Sequence, residues 1–117
     1  MDYMFSGCGN ITKLDLSNFD TTGVSKMNFM FNGCKSLTSL YLTNFNTQKV
    51  LNMSHMFANC QSLLSLDLES FKTSGVKDMK SLFSNCNSLL SLNINNFNAS
   101  SIKKLNSISD IFYNCSS

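Results

Sequence analysis

The sequence predicts an α/β repeat solenoid of about four coils, each with one short strand and one short helix, joined by a parallel strand ladder. The first observation is a column of cysteines with successive spacings of 26, 26, 26 and 29 residues: Cys8, Cys34, Cys60, Cys86 and Cys115. The second is that a phenylalanine stands three residues before every one of these cysteines. The third is a change of apolar spacing inside each repeat. A fixed period of this size is typical of a repeat array.

The second repeat, residues 27–52, shows both apolar spacings. The spacing of three and four that is typical of one helix face is carried by Met27, Met30, Phe31 and Cys34. Further along, Leu40 and Leu42 flank Tyr41, an alternation that indicates a short strand with the leucines facing inward. We therefore expect a helical turn on one side of each coil and a strand on the other.

The residue before each cysteine indicates where the predicted helix ends. Only glycine or asparagine occurs there, at Gly7, Gly33, Asn59, Asn85 and Asn114. These two residue types tolerate the left-handed backbone conformation that ends many helices. We therefore predict a left-handed residue at this position of every repeat.

The corners and the last repeat complete the local prediction. A polar turn follows the outer phenylalanine of each repeat, at 20–23, 46–49, 72–75 and 98–101. Side chains of Asp, Asn, Ser and Thr hold such corners by bonding to nearby backbone. The longer final spacing predicts an added helical turn or bulge around Leu105 to Ser109.

The chain is predicted to be one domain, residues 1–117, because a single repeat buries too little apolar surface to fold alone. The expected coils are approximately 1–26, 27–52, 53–78 and 79–107, with a partial coil at 108–117. Neither end carries a polar cap. We therefore expect a piece of a longer array, or ends that are covered by partners.

Composition argues against several classes of partner. Nine lysines and seven acidic residues give a net charge of +2, and arginine does not occur. This charge is too small to indicate binding to nucleic acid or insertion at an anionic membrane. Phosphate recognition usually relies on arginine, which points the same way. No apolar run approaches the roughly 18 residues that a membrane-spanning helix needs.

The segment Leu14 to Cys34, LDLSNFDTTGVSKMNFMFNGC, closely resembles a known repeat, and Ser36 to Leu63 resembles it again. It is similar to the leucine-rich-repeat variant of the bacterial surface protein A (BspA-like) type, the repeat of about 26 residues found in mycoplasma surface lipoproteins as a domain of unknown function. The resemblance covers the whole chain. It implies a leucine-rich-repeat-like solenoid, a cell-surface or extracellular location and roles in adhesion, and it carries over no catalytic residue.

No cofactor or metal site is predicted. An odd number of cysteines does not form a complete disulfide framework, and one thiol per coil lacks the short spacing of zinc ligands. The cysteines are therefore expected to be small buried apolar residues. The single histidine, His55, is expected on the solvated side of its helix. Asp67 and Glu69 share a strand face with Asp15, and we interpret them as a solvated acidic patch.

A candidate binding surface lies on the outward side of the strands. The inward strand positions repeat the same residue type, whereas the outward ones differ between repeats: Asp15, Ser17, Tyr41, Thr43, Asp67, Glu69, Asn93 and Asn95. Packing constrains the inward set and leaves the outward set free to vary. Tyr41 is the only aromatic residue of the outward set, which makes it the best candidate anchor for a partner.

The sequence thus favours a non-enzymatic surface repeat domain that binds a protein or a glycan. The alternative is a purely structural spacer or subunit of a larger assembly, docked through its open ends, with end-to-end self-association as one form. A third hypothesis, binding to ice or mineral through a row of threonines, is weakened because Ala99 interrupts the row of Thr21, Thr47 and Thr73. No nucleophile, base and orienting group converge, so no enzymatic activity is predicted.

Overall fold

Four three-residue strands occupy the same position in successive repeats. The computed structural model describes residues 1–100, 102–103 and 105–116. Its strands are β1 (Lys13–Asp15), β2 (Ser39–Tyr41), β3 (Ser65–Asp67) and β4 (Ser91–Asn93). All pairings are parallel, and each residue lies beside its equivalent 26 residues later. The strand predicted around Tyr41 is therefore present as β2.

The strands form two separate sheets. β1 pairs with β2 and β3 pairs with β4, whereas no pairing joins β2 to β3 although they are neighbours. The predicted continuous parallel ladder is therefore wrong. It is replaced by two two-stranded sheets with a seam between the second and third repeats.

The predicted α/β solenoid with one helix in every coil is also wrong. Across the residues that the structure describes there is no α-helix, and consequently none long and apolar enough to cross a membrane. The one helical segment in this described part of the chain is a 3-10 helix at Leu105–Ile108. The result is a small compact molecule with a radius of gyration of 12.9 Å, built almost entirely of turns and short strands.

The backbone hydrogen bonds explain why the helices do not form. An α-helix needs each N–H to bond to the carbonyl four residues earlier in the same segment. In the second repeat, the Met30 N–H instead donates to the Met27 carbonyl, three residues back, at 3.3 Å. The next N–H, that of Phe31, leaves the repeat and donates to the Met56 carbonyl at 2.9 Å. Successive amides thus donate alternately to a carbonyl of their own turn and to a carbonyl of the neighbouring repeat. They are therefore not available for the hydrogen bonds of an α-helix.

Left-handed residues make these consecutive turns possible. The five residues before the cysteines all have positive φ, between 54° and 77°, which confirms the predicted conformation: Gly7, Gly33, Asn59, Asn85 and Asn114. Their predicted role as helix ends is wrong because they lie within a series of turns. The asparagines also form an amide ladder. The Asn85 Nδ2 donates to the Asn59 Oδ1 at 2.8 Å, and the Asn59 Nδ2 donates to the Asn32 Oδ1 at 2.9 Å.

Apolar columns fill the interior between repeats. One phenylalanine column stacks in parallel with ring centroids 5.4–5.6 Å apart: Phe5, Phe31, Phe57, Phe83 and Phe112. The phenylalanine pair Phe45 and Phe71 stacks at 6.0 Å. The three inner members of the first column are fully buried. Offset stacking of this kind adds to the stabilisation from apolar burial.

Buried threonines close the corners. The Thr21 hydroxyl donates to the Asn46 carbonyl at 3.1 Å and accepts from the Asn46 N–H at 2.8 Å. Thr47 and Thr73 make the same pair of bonds to the following repeat. All three side chains are buried, so the hypothesis of an exposed threonine row for ice or mineral is wrong. Their hydroxyls instead satisfy backbone groups at the corner.

The last repeat departs from the others, as its longer spacing predicts. The 3-10 helix at Leu105–Ile108 falls within the interval where an added helical turn or bulge was expected, which confirms that prediction. The predicted corner at 98–101 and the partial coil at 108–117 each include one residue outside the described part of the chain.

Substitution of Gly33 tests the left-handed turn. A Cβ at Gly33 would meet its nearest atoms, in Gly7, at an ordinary 3.7 Å, so the strain of a larger residue comes from its φ of 77°. We expect Gly33→Val to lower the free energy of unfolding by at least about 1 kcal/mol. Gly33→Asn should have little effect, since Asn59 adopts this conformation in the next repeat.

The matched control is Gly23→Val, because Gly23 has open space around its Cα and no positive φ. Chemical denaturation of the three variants measures the effect. Equal losses for Gly33→Val and Gly33→Asn would contradict the left-handed turn.

Candidate functional site on the strand face

The eight predicted binding residues lie along one face, at the strands and in the turns that follow them. Six are exposed: Asp15, Tyr41, Thr43, Asp67, Glu69 and Asn95. The other two, Ser17 and Asn93, are half-buried. The parallel register places Asp15 beside Tyr41 and Asp67 beside Asn93. The structure thus brings the set onto two adjoining sheets, divided by the seam between β2 and β3.

Three of these residues have a structural role that the sequence analysis missed. The Asp15 Oδ1 accepts a hydrogen bond from the Ser17 N–H at 2.9 Å. Asp67 and Asn93 accept equivalent bonds from the amide two residues later. This side-chain-to-backbone bond holds the turn after the strand. The bonds from the Ser17 side chain and backbone also lower the pKa of the Asp15 carboxyl.

Tyr41 occupies the same strand position as Asp15, Asp67 and Asn93, but its side chain does not hold a turn. An aspartate or asparagine stands at the same position of the other three repeats, and a phenol offers no equivalent acceptor for the amide two residues later. Its side chain is 53% exposed. A large aromatic residue with this exposure contributes little to the fold and presents apolar area together with a polar hydroxyl.

A shallow groove lies at the seam. It has a volume of about 320 Å³ and is lined by Thr43, Asp67, Glu69 and Ser70. The Ser70 hydroxyl donates across the seam to the Leu42 carbonyl at 3.2 Å. Two carboxylates and two hydroxyls therefore surround the groove, a set of groups suited to accepting hydrogen bonds from hydroxyls or from ammonium groups. Among the described residues, no cluster of three or more acidic, histidine or cysteine side chains could hold a metal ion.

The cysteines form a shielded column. Cys34, Cys60 and Cys86 are buried and Cys8 and Cys115 are half-buried, and all are free thiols. The prediction of buried cysteines is therefore confirmed for the three inner ones. Each inner thiol donates to the carbonyl of the phenylalanine in the preceding repeat, at 3.2–3.3 Å. Burial, followed by the neighbouring Cys8, raises the pKa of Cys34 to about 11. A thiol held protonated in this way is a poor nucleophile.

His55 is not the solvated residue that the sequence predicts. Its half-buried ring stacks on Phe29 with centroids 4.5 Å apart, and Phe29 stacks on Tyr3 at 4.8 Å. Burial and the nearby Lys80 lower the pKa of His55, and Asp78 opposes them. The sequence does carry a signal for this stack, because Tyr3, Phe29 and His55 are spaced 26 residues apart.

A second, apolar cavity lies in the last repeat. Its volume is about 220 Å³. Its lining is apolar except for Asn98: Met79, Leu82, Phe83, Ile94, Phe97, Ala99, Ile108, Ile111 and Phe112. Ala99 stands where the three earlier repeats carry a buried threonine. The cavity is separate from the strand face and shares no lining residue with the groove at the seam.

Thiol alkylation tests the burial of the cysteine column. At neutral pH we expect Cys34, Cys60 and Cys86 to react with iodoacetamide at least about tenfold more slowly than Cys8 and Cys115, because burial blocks access and raises the pKa. Mass spectrometry of peptides after timed quenching gives the rate at each site. All five should react equally once the chain is unfolded, and equal rates in the folded chain would contradict the burial.

The pH dependence of stability tests the environment of His55. Its folded pKa is lower than the ordinary 6.5, so the unfolded state binds a proton more readily. Stability should therefore fall as pH drops through about 6.5 towards the lowered folded value. The control is His55→Phe, which keeps a ring in the stack and removes the titration. Denaturant melts between pH 7.5 and 5.5 measure both chains, and equal slopes would refute the assignment.

Comparison with known proteins gives the family of the chain. No curated protein and no solved structure matches it. One family matches over residues 1–117, and its description is "Mycoplasma protein of unknown function, DUF285". Since the match spans the whole chain, this protein belongs to the DUF285 family of mycoplasma proteins.

Proposed function

We propose that this chain is a non-enzymatic binding domain whose strand face contacts a protein or a glycan at the cell surface or outside the cell. The observation that carries the proposal is Tyr41, an exposed aromatic residue at a position where the other repeats hold a turn with an aspartate or asparagine. Tyr41 lies on the strand next to the seam that holds the polar groove.

The composition of the face supports recognition by contact. The first residue of β2, β3 and β4 is a serine: Ser39, Ser65 and Ser91. The outward positions that follow carry Tyr41 together with carboxylates and asparagines. Tyrosine, serine and asparagine are the residues that binding loops of antibodies favour, since tyrosine gives a rigid contact area and small polar residues give adaptable hydrogen bonds. The same groups serve a glycan, whose hydroxyls pair with carboxylates and amides.

The resemblance to BspA-like repeats supports the surface location and the role in adhesion. It rests on the repeated motif that runs from Leu14 to Cys34. The small net charge and the absence of arginine favour a partner other than a nucleic acid. We therefore expect the partner on another surface. We expect the contact to combine the aromatic ring of Tyr41 with polar and acidic side chains of the strand face.

Substitution of Tyr41 tests the proposal. Partners are first captured from extracts of cell surfaces and from an immobilised glycan array. Binding of a captured partner is then measured by calorimetry. Tyr41→Asn should weaken it by about 1–2 kcal/mol, because an interface loses its aromatic anchor. The fold should be unaffected, since asparagine at this position restores the turn bond seen at Asn93.

The matched control is Tyr113→Ala, which removes another exposed tyrosine, away from the strands. It should leave binding unchanged. If substitutions at Tyr41, Asp67 and Glu69 have no effect on any captured partner, the strand face is not the binding surface.

A further inference from the structure

Thr43, in the turn after β2, lacks two hydrogen bonds that its equivalents in the neighbouring repeats make. The Ser17 N–H donates to the Asp15 side chain at 2.9 Å, and the Ser17 carbonyl accepts from the Asn44 Nδ2 at 2.7 Å. The N–H and the carbonyl of Glu69 are paired in the same way, at 3.0 Å and 2.6 Å. Neither backbone group of Thr43 has a hydrogen-bond partner among the described residues.

Two departures from the repeat explain the missing bonds. Tyr41 stands where the other repeats have an aspartate or asparagine, and its phenol offers no equivalent acceptor for the Thr43 N–H. Ser70 stands where the repeats on either side have an asparagine that donates to the preceding repeat. The shorter side chain of Ser70 donates to the Leu42 carbonyl instead, at 3.2 Å. Both departures flank the seam, which has a paired sheet on either side.

The unpaired backbone groups belong to a residue that lines the groove at the seam. Thr43 is exposed, so a ligand in the groove can reach its N–H and its carbonyl. The other lining residues, Asp67, Glu69 and Ser70, supply two carboxylates and a second hydroxyl. The groove therefore combines a backbone donor, several acceptors and two hydroxyls that can act as either.

This combination of groups selects a class of ligand. An ammonium group donates but does not accept, so it would leave the Thr43 N–H unused. An anionic group would accept from that N–H, but Asp67 and Glu69 would repel it. Each hydroxyl of a sugar both donates and accepts, so neighbouring hydroxyls can bond to a carboxylate and to the Thr43 backbone together. The groove thus favours an uncharged sugar.

The size of the groove limits the ligand to a small unit. Its volume of about 320 Å³ lies at the lower end of the range for small-molecule sites, roughly 300–1,000 Å³. β2 and β3 remain neighbours across the seam, so a further peptide strand does not fit between them. One sugar residue of a larger glycan is a unit of the appropriate size.

We propose that the groove at the seam binds one residue of an uncharged glycan. Hydroxyls of the sugar donate to Asp67 and Glu69, and one hydroxyl accepts from the Thr43 N–H. The exposed ring of Tyr41, on the strand next to the seam, contacts the apolar face of the sugar. This inference rests on the proposed function, because it names the class of partner that the strand face binds.

Titration with sugars, followed by amide NMR, is the direct test. The probes are methyl glycosides of glucose, galactose, mannose, fucose and N-acetylglucosamine, with lysine amide and N-acetylneuraminic acid as charged probes. At least one uncharged glycoside should shift the amide signals of Thr43, Glu69 and Ser70 at millimolar concentration. The proposal is overturned if no glycoside shifts these signals, or if a charged probe shifts them more than every uncharged one.

Two substitutions in the groove should weaken the binding of that glycoside without weakening the fold. In Ser70→Asn, the new amide should donate to the Thr43 carbonyl, as the asparagines of the adjoining repeats do to theirs. The sugar then loses a hydroxyl and an acceptor, so its affinity should fall at least about tenfold. Asp67→Asn should also reduce the affinity, because it removes a charged acceptor, while asparagine holds the turn as Asn93 does.

Matched controls make the same exchanges away from the strand face. Ser25→Asn alters an exposed serine outside the strands and the groove. Asp78→Asn alters an aspartate whose Oδ1 accepts from the Lys80 N–H at 3.0 Å, in a turn of the same kind. Both controls should bind the glycoside as the unmodified chain does. Unchanged affinity in Ser70→Asn and Asp67→Asn would show that the sugar does not occupy the groove.

Enzymatic deglycosylation of a captured partner separates this inference from the proposed function. Binding that is lost with the glycans supports the sugar site. Binding that survives deglycosylation but is weakened by Tyr41→Asn would refute the sugar site and leave strand-face binding intact. If no captured partner responds to Tyr41→Asn, the proposed function fails, and the glycoside titration still decides whether the groove binds a sugar.

Discussion

The hydrogen bonds between neighbouring repeats are the constraint on which the rest of the structure depends. Alternate amides of the turn segments, such as that of Phe31, are committed to the repeat that follows. This commitment rules out helices, since a helix would need the same amides for itself. It also sets the register that stacks phenylalanine on phenylalanine and asparagine on asparagine. Local turns, side-chain columns and compact shape follow from one pattern of backbone bonds.

Polar side chains complete this pattern where the backbone leaves groups unpaired. Thr21 and its equivalents bond to the backbone of the following repeat at the corner. The thiol of Cys60 donates to the carbonyl of Phe31, which also accepts the bond of its own turn. In the described residues no buried side-chain nitrogen or oxygen lacks a partner. Burying polar groups carries a large cost unless they are paired, so these residues are as necessary to the stack as the apolar columns.

Departures from the repeat are the places where function is best sought. Tyr41 stands where the other repeats have an aspartate or asparagine that holds a turn. Its strand, β2, does not pair with β3, and the polar groove lies at this seam. Ala99 replaces a buried threonine, and three extra residues precede the last turn segment, beside an apolar cavity. Where every repeat agrees, packing explains the residue. Where one repeat differs, packing between repeats does not constrain that position, or another interaction constrains it instead.

The sequence by itself determined the 26-residue repeat, the strand positions, the inward leucines and the left-handed residue before each cysteine, because each depends on local chemistry or on periodic packing. It predicted helices incorrectly because apolar spacing reports which side chains face inward, and consecutive turns with a residue at positive φ give the same spacing as a helix. Whether an amide bonds within its segment or to a neighbour is decided only when the repeats stack. The turn-holding role of Asp15, the ring stack of His55 and the seam beside Tyr41 likewise depend on contacts or backbone geometry that only the tertiary structure fixes.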